Sequence, residues 1–198
     1  MVWFLLVVFV IALVMGFFQV PIWIMYGVFA VMIIFIFIRN PLVFGKDPEK
    51  IMAYIKKSKA PHLQFLYHFL QGDLSAAENT LGKILMKKAK QGSELMLLME
   101  RKEYGKAKEL LANMSGHKTK WYALSDIAIQ EVDSESLKEY RGKLNDRFLL
   151  KMLEVDQAVF EGKKREAVVL LENMIPTLRG YKLLTAVQAR KQILEGKI

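Results

Sequence analysis

The N-terminal stretch from Met1 to Ile38 contains no Asp, Glu, Lys or Arg, and its only strongly polar side chain is Gln19. Apolar residues occupy every helical face along this stretch, whereas a helix in a soluble core needs a polar face. A lipid bilayer is the solvent that suits such a surface, so we expect residues 1–38 to form a transmembrane segment. All charged side chains follow this stretch, which divides the sequence at Arg39.

The length of the apolar stretch favours two crossings of the membrane. A continuous helix of this length would measure about 57 Å, against a hydrocarbon core of about 30 Å. Pro21 lies between Gln19 and Trp23, and a proline beside polar and aromatic residues is typical of a turn at the membrane interface. We therefore predict a transmembrane helical hairpin, with one tilted span as the open alternative. A cleaved signal peptide is disfavoured because no basic residue precedes the apolar stretch.

Residues 39–60 form a basic juxtamembrane linker. Its basic residues, which we assign to the membrane surface, are Arg39, Lys46, Lys50, Lys56, Lys57 and Lys59. Lys and Arg directly after a span are typical of the cytoplasmic side, so we predict a two-span, multi-pass protein of the cell membrane with a cytoplasmic soluble domain. A bacterial inner membrane suits this arrangement.

Pro48 is well placed for the first turn of a short helix that runs to about Lys57, and Pro61 ends that segment. The apolar residues of the short helix, Ile51, Met52, Tyr54 and Ile55, allow two interpretations. The helix lies against anionic headgroups, or it belongs to a solvated collar that fixes topology.

From His62 onward the apolar residues have helical spacing, and no stretch alternates as a half-buried strand does. Three segments share one pattern: Gly72-Asp73-Leu74-Ser75-Ala76-Ala77, Lys102-Glu103-Tyr104-Gly105-Lys106-Ala107 and Gly162-Lys163-Lys164-Arg165-Glu166-Ala167. The last alanines of these segments are separated by 30 and then 60 residues, which predicts a weaker copy at residues 134–144.

This pattern resembles the tetratricopeptide repeat, in which a turn leads to a small Ala where two antiparallel helices pack closely. The resemblance covers roughly residues 61–175. It implies helical pairs at about 62–88, 92–114, 118–144 and 147–174, and a last helix from Thr177 to Leu194 that caps the open end. The period is nearer 30 than 34, and Lys102 and Val132 replace the turn glycine. An irregular helical bundle is the alternative. The predicted fold is therefore all-α, with a tetratricopeptide-like α-solenoid over residues 61–198 behind the hairpin.

The residue types of this chain give no support to catalysis or to metal binding. Cysteine is absent, and His62, His68 and His117 lack partners at metal-ligand spacing. No phosphate-binding loop or nucleophile elbow occurs. We predict no enzyme activity, no catalytic residue, no metal and no cofactor.

The charges after residue 60 are nearly balanced, with 23 Lys and Arg against 18 Asp and Glu, which argues against a nucleic-acid partner. Local clusters of bases nevertheless occur at Lys83, Lys87, Lys88 and Lys90 and at Lys163, Lys164 and Arg165. These clusters face acidic partners or lipid headgroups, or they are solvated.

The resemblance to tetratricopeptide arrays implies a binding scaffold. We therefore expect a membrane-anchored adaptor for protein–protein interaction, whose partners are the lipid bilayer and an unidentified protein or peptide. The predicted partner-binding residues are Leu95, Leu98, Trp121 and Tyr122. The alternative is a small accessory subunit of an integral membrane complex, whose hairpin packs against other transmembrane helices. A homo-oligomer is left open.

Overall fold

The computed structural model describes residues 17–18 and 21–196, with the backbone alone at residues 36 and 37. Within these ranges every regular element is a helix, which confirms the all-α prediction. The helices are α1 (Ile22–Ile38), α2 (Pro41–Phe44), α3 (Pro48–Lys57), α4 (Pro61–Leu70), α5 (Leu74–Leu81), α6 (Lys87–Glu100), α7 (Tyr104–Ala112), α8 (Lys118–Gln130), α9 (Ser134–Gly142), α10 (Arg147–Phe160), α11 (Lys164–Met174) and α12 (Gly180–Leu194).

Helix α1 occupies the second arm of the predicted hairpin. Its 17 residues correspond to about 26 Å, which is less than the hydrocarbon core of about 30 Å. In the part of the chain that the structure describes, no helix has the length and apolarity needed to cross a membrane. The described helices therefore do not support the predicted transmembrane hairpin. Its first arm, apart from Phe17 and Phe18, lies outside the described residues.

Helices α4 to α11 form four successive pairs. The third and fourth pairs lie within the predicted ranges, and the first pair begins one residue early, at Pro61. The second pair begins at Lys87, within the range predicted for the first pair, so its predicted start at residue 92 is wrong. The two helices of a pair are joined by the same tight turn each time. The second residue after each first helix has a positive φ: +78° at Gly72, +57° at Lys102, +60° at Val132 and +76° at Gly162. The amide of the next residue then donates a hydrogen bond to the carbonyl oxygen five residues earlier, for example from Asp133 to Ala128 at 2.9 Å. This repeated C-cap shows that the four turns are structurally equivalent. The tetratricopeptide type of the repeat stays a prediction.

Small residues lie where the helices of a pair approach each other. Ala77, Ala107 and Ala167, which the repeat pattern singles out, are fully buried. Ala107 packs with Leu95 and Leu111, and Ala167 packs in a neighbouring cluster with Leu171. A larger side chain at these positions would force the helices apart.

Helix α3 is part of the same folded body as the helical pairs. Ile51 and Ile55 are fully buried, and they pack with Leu66 of α4 and with Leu183 and Leu184 of α12. The interpretation that these two isoleucines lie against headgroups is therefore wrong, because protein covers them. The bounds of α3 agree with the sequence prediction.

Helix α12 begins later than predicted, at Gly180, because a 3₁₀ turn at Ile175–Thr177 precedes it. It packs on α11, as a cap on the last pair should, and it also contacts α2 and α3. Since α3 in turn packs on α4, the end of the array is joined to its beginning.

Candidate functional site

The linker that follows the apolar segment is held close to the start of α12. The amide of Gly180 donates a hydrogen bond to the carbonyl oxygen of Gly45 at 2.7 Å. Gly180 has a φ of +56°, and a Cβ atom there would lie 2.2 Å from the carbonyl oxygen of Leu42. Only glycine accepts both this backbone conformation and this approach. The start of α12 is therefore held against α2, a few residues after the end of α1.

Asn40 fixes the chain between α1 and α2. Its side-chain oxygen accepts a hydrogen bond from the amide of Leu42 at 3.0 Å, which makes it the N-cap of α2. The cap and the hydrogen bond between Gly180 and Gly45 therefore hold residues 40–45, directly after α1, against the body.

Helix α1 presents its apolar side chains to the surroundings. Trp23 and Tyr26 are 70% and 66% exposed, and Ile33 is 66% exposed. Exposed apolar surface of this extent marks an interaction with a membrane or with another protein.

The six residues assigned to the membrane surface are all exposed: Arg39, Lys46, Lys50, Lys56, Lys57 and Lys59. The guanidinium of Arg39 lies 5.5 Å from the ring centroid of Phe35. Lys50 forms an exposed ion pair with Asp47 at 3.5 Å. These cations are accessible to an anionic surface, and their predicted contact with headgroups stays a prediction.

Asp146 links the starts of three helices. Its carboxylate accepts hydrogen bonds from Lys118 of α8 at 2.7 Å and from Lys182 of α12 at 3.2 Å. It also caps α10 by accepting from the amide of Phe148. The hydrogen bond from Lys118, together with the one from Lys182, holds the pKa of Asp146 well below its usual range. The starts of α8, α10 and α12 therefore lie side by side.

A second polar cluster lies between α8 and α10. The hydroxyl of Tyr122 donates a hydrogen bond to the carboxylate of Asp156 at 2.5 Å, and Asp126 lies one turn after Tyr122 on α8. Burial raises the pKa of Asp156 to about 7, and the nearby charge of Asp126 adds to this effect. Burial also raises the pKa of Asp126 to about 6. The two carboxyls therefore release their protons at a higher pH than a free aspartate side chain does.

A groove of about 270 Å³ lies among α7, α8 and α9. Leu124 and Tyr140 form apolar parts of its wall, and Lys120 and Glu131 form charged parts. Lys108 bridges to Glu131 at 2.6 Å, which links α7 to the end of α8. The groove therefore combines an apolar floor with charged walls of both signs.

Beside the groove, the ring of Trp121 stacks on Tyr140 with 6.2 Å between the centroids. The ammonium of Lys143 lies 4.5 Å from the centroid of the Trp121 ring, a cation–π geometry.

The four predicted partner-binding residues do not converge on one surface. Leu95 is 3% exposed and belongs to the core with Ala107 and Leu111, so it does not line a groove. Leu98 packs partly buried on the same core. Trp121 faces α9, whereas Tyr122 faces α10. The groove is instead lined by other residues of α8, such as Lys120 and Leu124, together with residues of α7 and with Tyr140 of α9.

Sequence reasoning missed the Asp126 and Asp156 cluster. The only local signal is that Asp156 follows the buried Val155, and the neighbouring Glu154 and Gln157 hide it in the sequence. The pairing across two helices was not visible in the sequence. Among the described residues, no group of three His, Cys, Asp or Glu side chains is placed to hold a metal ion.

Comparison with known proteins gives no relative for this chain, because no family model, no curated protein and no solved structure matches it.

Proposed function

We propose that this chain is a membrane-attached scaffold that holds a helical array at a fixed orientation beside the bilayer and presents it to a protein partner. The observation that carries the proposal is the junction of Gly45 with Gly180, which joins the apolar segment to both ends of the array. A flexible tether would only raise the local concentration of the array. A tether that is packed against the array also sets which surface of the array faces away from the bilayer.

The support for membrane attachment is the uncharged stretch of residues 1–38 and the exposed apolar surface of α1. The bases after α1 favour a cytoplasmic location for the body, by the positive-inside rule. The partner surface that the geometry favours is the groove of Leu124 and Tyr140 with the adjacent ring of Trp121. Lys143 above that ring suits a segment that brings an apolar side chain and a carboxylate together.

Attachment is tested with the full chain alone. We expect it to require detergent for solubility and to float with phospholipid vesicles after an alkaline wash. If the full chain is monodisperse in buffer without detergent and stays behind when vesicles float, attachment is refuted.

The partner surface is tested in native membranes with a photo-crosslinking residue at Leu124 in the groove. The matched control carries the same residue at Asn79, an exposed position on α5. We expect a discrete adduct from Leu124 that disappears on Trp121→Ala, and none from Asn79. Equal adducts from both positions would contradict the groove.

A second candidate is the small accessory subunit of a membrane complex. Gly27 and Ala30 are exposed on α1, and a Cβ atom on Gly27 would meet no atom within 4 Å. Small residues on an open helical face let the backbone of another helix approach closely. A crosslinker at Gly27 distinguishes the two candidates, because the accessory-subunit function requires adducts there even when the groove gives none.

A further inference from the structure

The two edges of the helical array differ in charge. The connections between pairs, at residues 82–86, 113–117, 143–146 and 175–179, lie at the edge where the first helices begin. The turns within pairs, at residues 71–73, 101–103, 131–133 and 161–163, lie at the opposite edge. We call these the start edge and the turn edge. The ion pairs of Asp146 with Lys118 and Lys182, and the contact of Gly180 with Gly45, show that the start edge also carries the junction with the apolar segment.

The start edge is strongly basic. The described connections between pairs and the first turns of α6, α8, α10 and α12 contain a single acidic residue, Asp146. Its carboxylate already bridges two lysines. The basic residues of these segments are Lys83, Lys87, Lys88, Lys90, Lys118, Lys120, Lys143, Arg147, Arg179 and Lys182. The turn edge is mixed, with Asp73, Glu103, Glu131, Asp133 and Glu161 beside Arg101, Lys102 and Lys163. A single face of the body therefore concentrates positive charge.

Helix stability does not explain these bases. The N-terminus of a helix carries a partial positive charge, so a cation in the first turn costs about 0.3–1 kcal/mol. Lys87 and Lys88 stand in the first turn of α6, and Arg147 stands in the first turn of α10. Among the described residues these three cations form no ion pair that would offset the cost. Their position suits an anionic partner outside the chain.

An exposed apolar pair stands within the same edge. Leu85 is 95% exposed and Met86 is 61% exposed, in the connection from α5 to α6, and Lys83, Lys87 and Lys88 flank them in the sequence. Ile84, directly before them, is buried at 5% exposure and fixes the connection to the core. Exposed apolar side chains flanked by lysines are typical of segments that rest in the headgroup region of an anionic membrane.

We propose that the start edge is a second membrane contact, which lies on anionic phospholipid headgroups with Leu85 and Met86 inserted at the acyl boundary. This inference rests on the proposed attachment, since the apolar segment leaves from the same edge and brings it to the bilayer. Each base near the surface adds roughly 1 kcal/mol of attraction to anionic lipid. The turn edge then faces away from the membrane, and the groove stands between the two edges.

The test uses the full chain, in which the absence of cysteine allows a single reporter. Leu85→Cys carries an environment-sensitive fluorophore, and the chain is reconstituted in vesicles of equal parts phosphatidylglycerol and phosphatidylcholine. The matched control is Val132→Cys, because Val132 is also apolar and 74% exposed but lies at the turn edge. We expect a blue-shifted emission with a severalfold increase in intensity at position 85 and an aqueous spectrum at position 132. Lys87→Glu with Lys88→Glu should reduce the increase at position 85 by at least half.

Three results would overturn the inference. The first is an aqueous spectrum at position 85 in vesicles that float with the protein, which leaves attachment intact. The second is an equal fluorescence increase at position 85 in vesicles of phosphatidylcholine alone, which would show that the contact does not need anionic lipid. The third is loss of the protein from floated vesicles, which overturns the proposed attachment and this contact with it.

Discussion

The amide of Gly180 donates to the carbonyl oxygen of Gly45 at 2.7 Å, and this hydrogen bond joins the segment after α1 to the last helix. Around it, Ile51 and Ile55 of α3 fill the space between α4 and α12. The array is therefore closed by residues that precede it in the chain. Because residues directly after the apolar segment contribute to this packing, the stability of the body depends on where that segment is held.

Gly180→Ala is expected to destabilise the protein by roughly 2 kcal/mol or more. The new methyl group would meet the carbonyl oxygen of Leu42, and the positive φ adds a cost of about 1–2 kcal/mol. Urea unfolding of the full chain in mild detergent measures the loss. Gly162→Ala is the matched control, since Gly162 also has a positive φ but a Cβ atom there meets nothing within 4 Å. Equal losses in the two variants would show that the contact with Leu42 contributes nothing.

Val132→Gly is expected to stabilise the protein by about 1 kcal/mol. Val132 holds a φ of +60°, which is costly for a β-branched residue, and its side chain is mostly exposed. The same unfolding measurement gives the change in the free energy of unfolding. Gly162→Val places valine at the equivalent turn of the fourth pair and should lower the free energy of unfolding by a similar amount. The equivalence of the two turns fails if the two changes have the same sign.

Asp156→Asn is expected to change how stability depends on pH. The pKa of Asp156 is about 7 and that of Asp126 is about 6 in the folded protein, above the value of 3.8 for a free carboxyl. Between these values the folded state keeps protons that the unfolded chain has released, so stability falls as pH rises through this window. The amide removes one titrating group and can still accept from Tyr122. We expect a gain of about 1–2 kcal/mol at about pH 8 and little change at about pH 3, where the carboxyl is protonated in both states.

Denaturation of the Asp156→Asn variant at several pH values provides the measurement. Glu135→Gln is the control, because Glu135 is exposed and its replacement should leave the pH profile of stability as it was. If the stability of Asp156→Asn depends on pH in the same way as that of the unaltered chain, the raised pKa of Asp156 is refuted. Asp146 acts in the opposite direction, since its low pKa makes its ion pairs fail only as the solution becomes strongly acidic.

The sequence by itself determined the helical pairs, because helical spacing, prolines and turn residues are local signals. Pro48 begins α3 where expected, and the alanines at 77, 107 and 167 are buried as their pattern indicates. Pro61, predicted only to end the segment of α3, is also the first residue of α4. Tertiary structure alone decided what covers those helices. Ile51 and Ile55 have an amphipathic pattern that suits either lipid or protein, and only the return of α12 selects protein. The carboxyls of Asp126 and Asp156 belong to different helices, and the basic residues of the start edge belong to several connections. Their grouping depends on contacts between residues far apart in the chain, which no local pattern encodes.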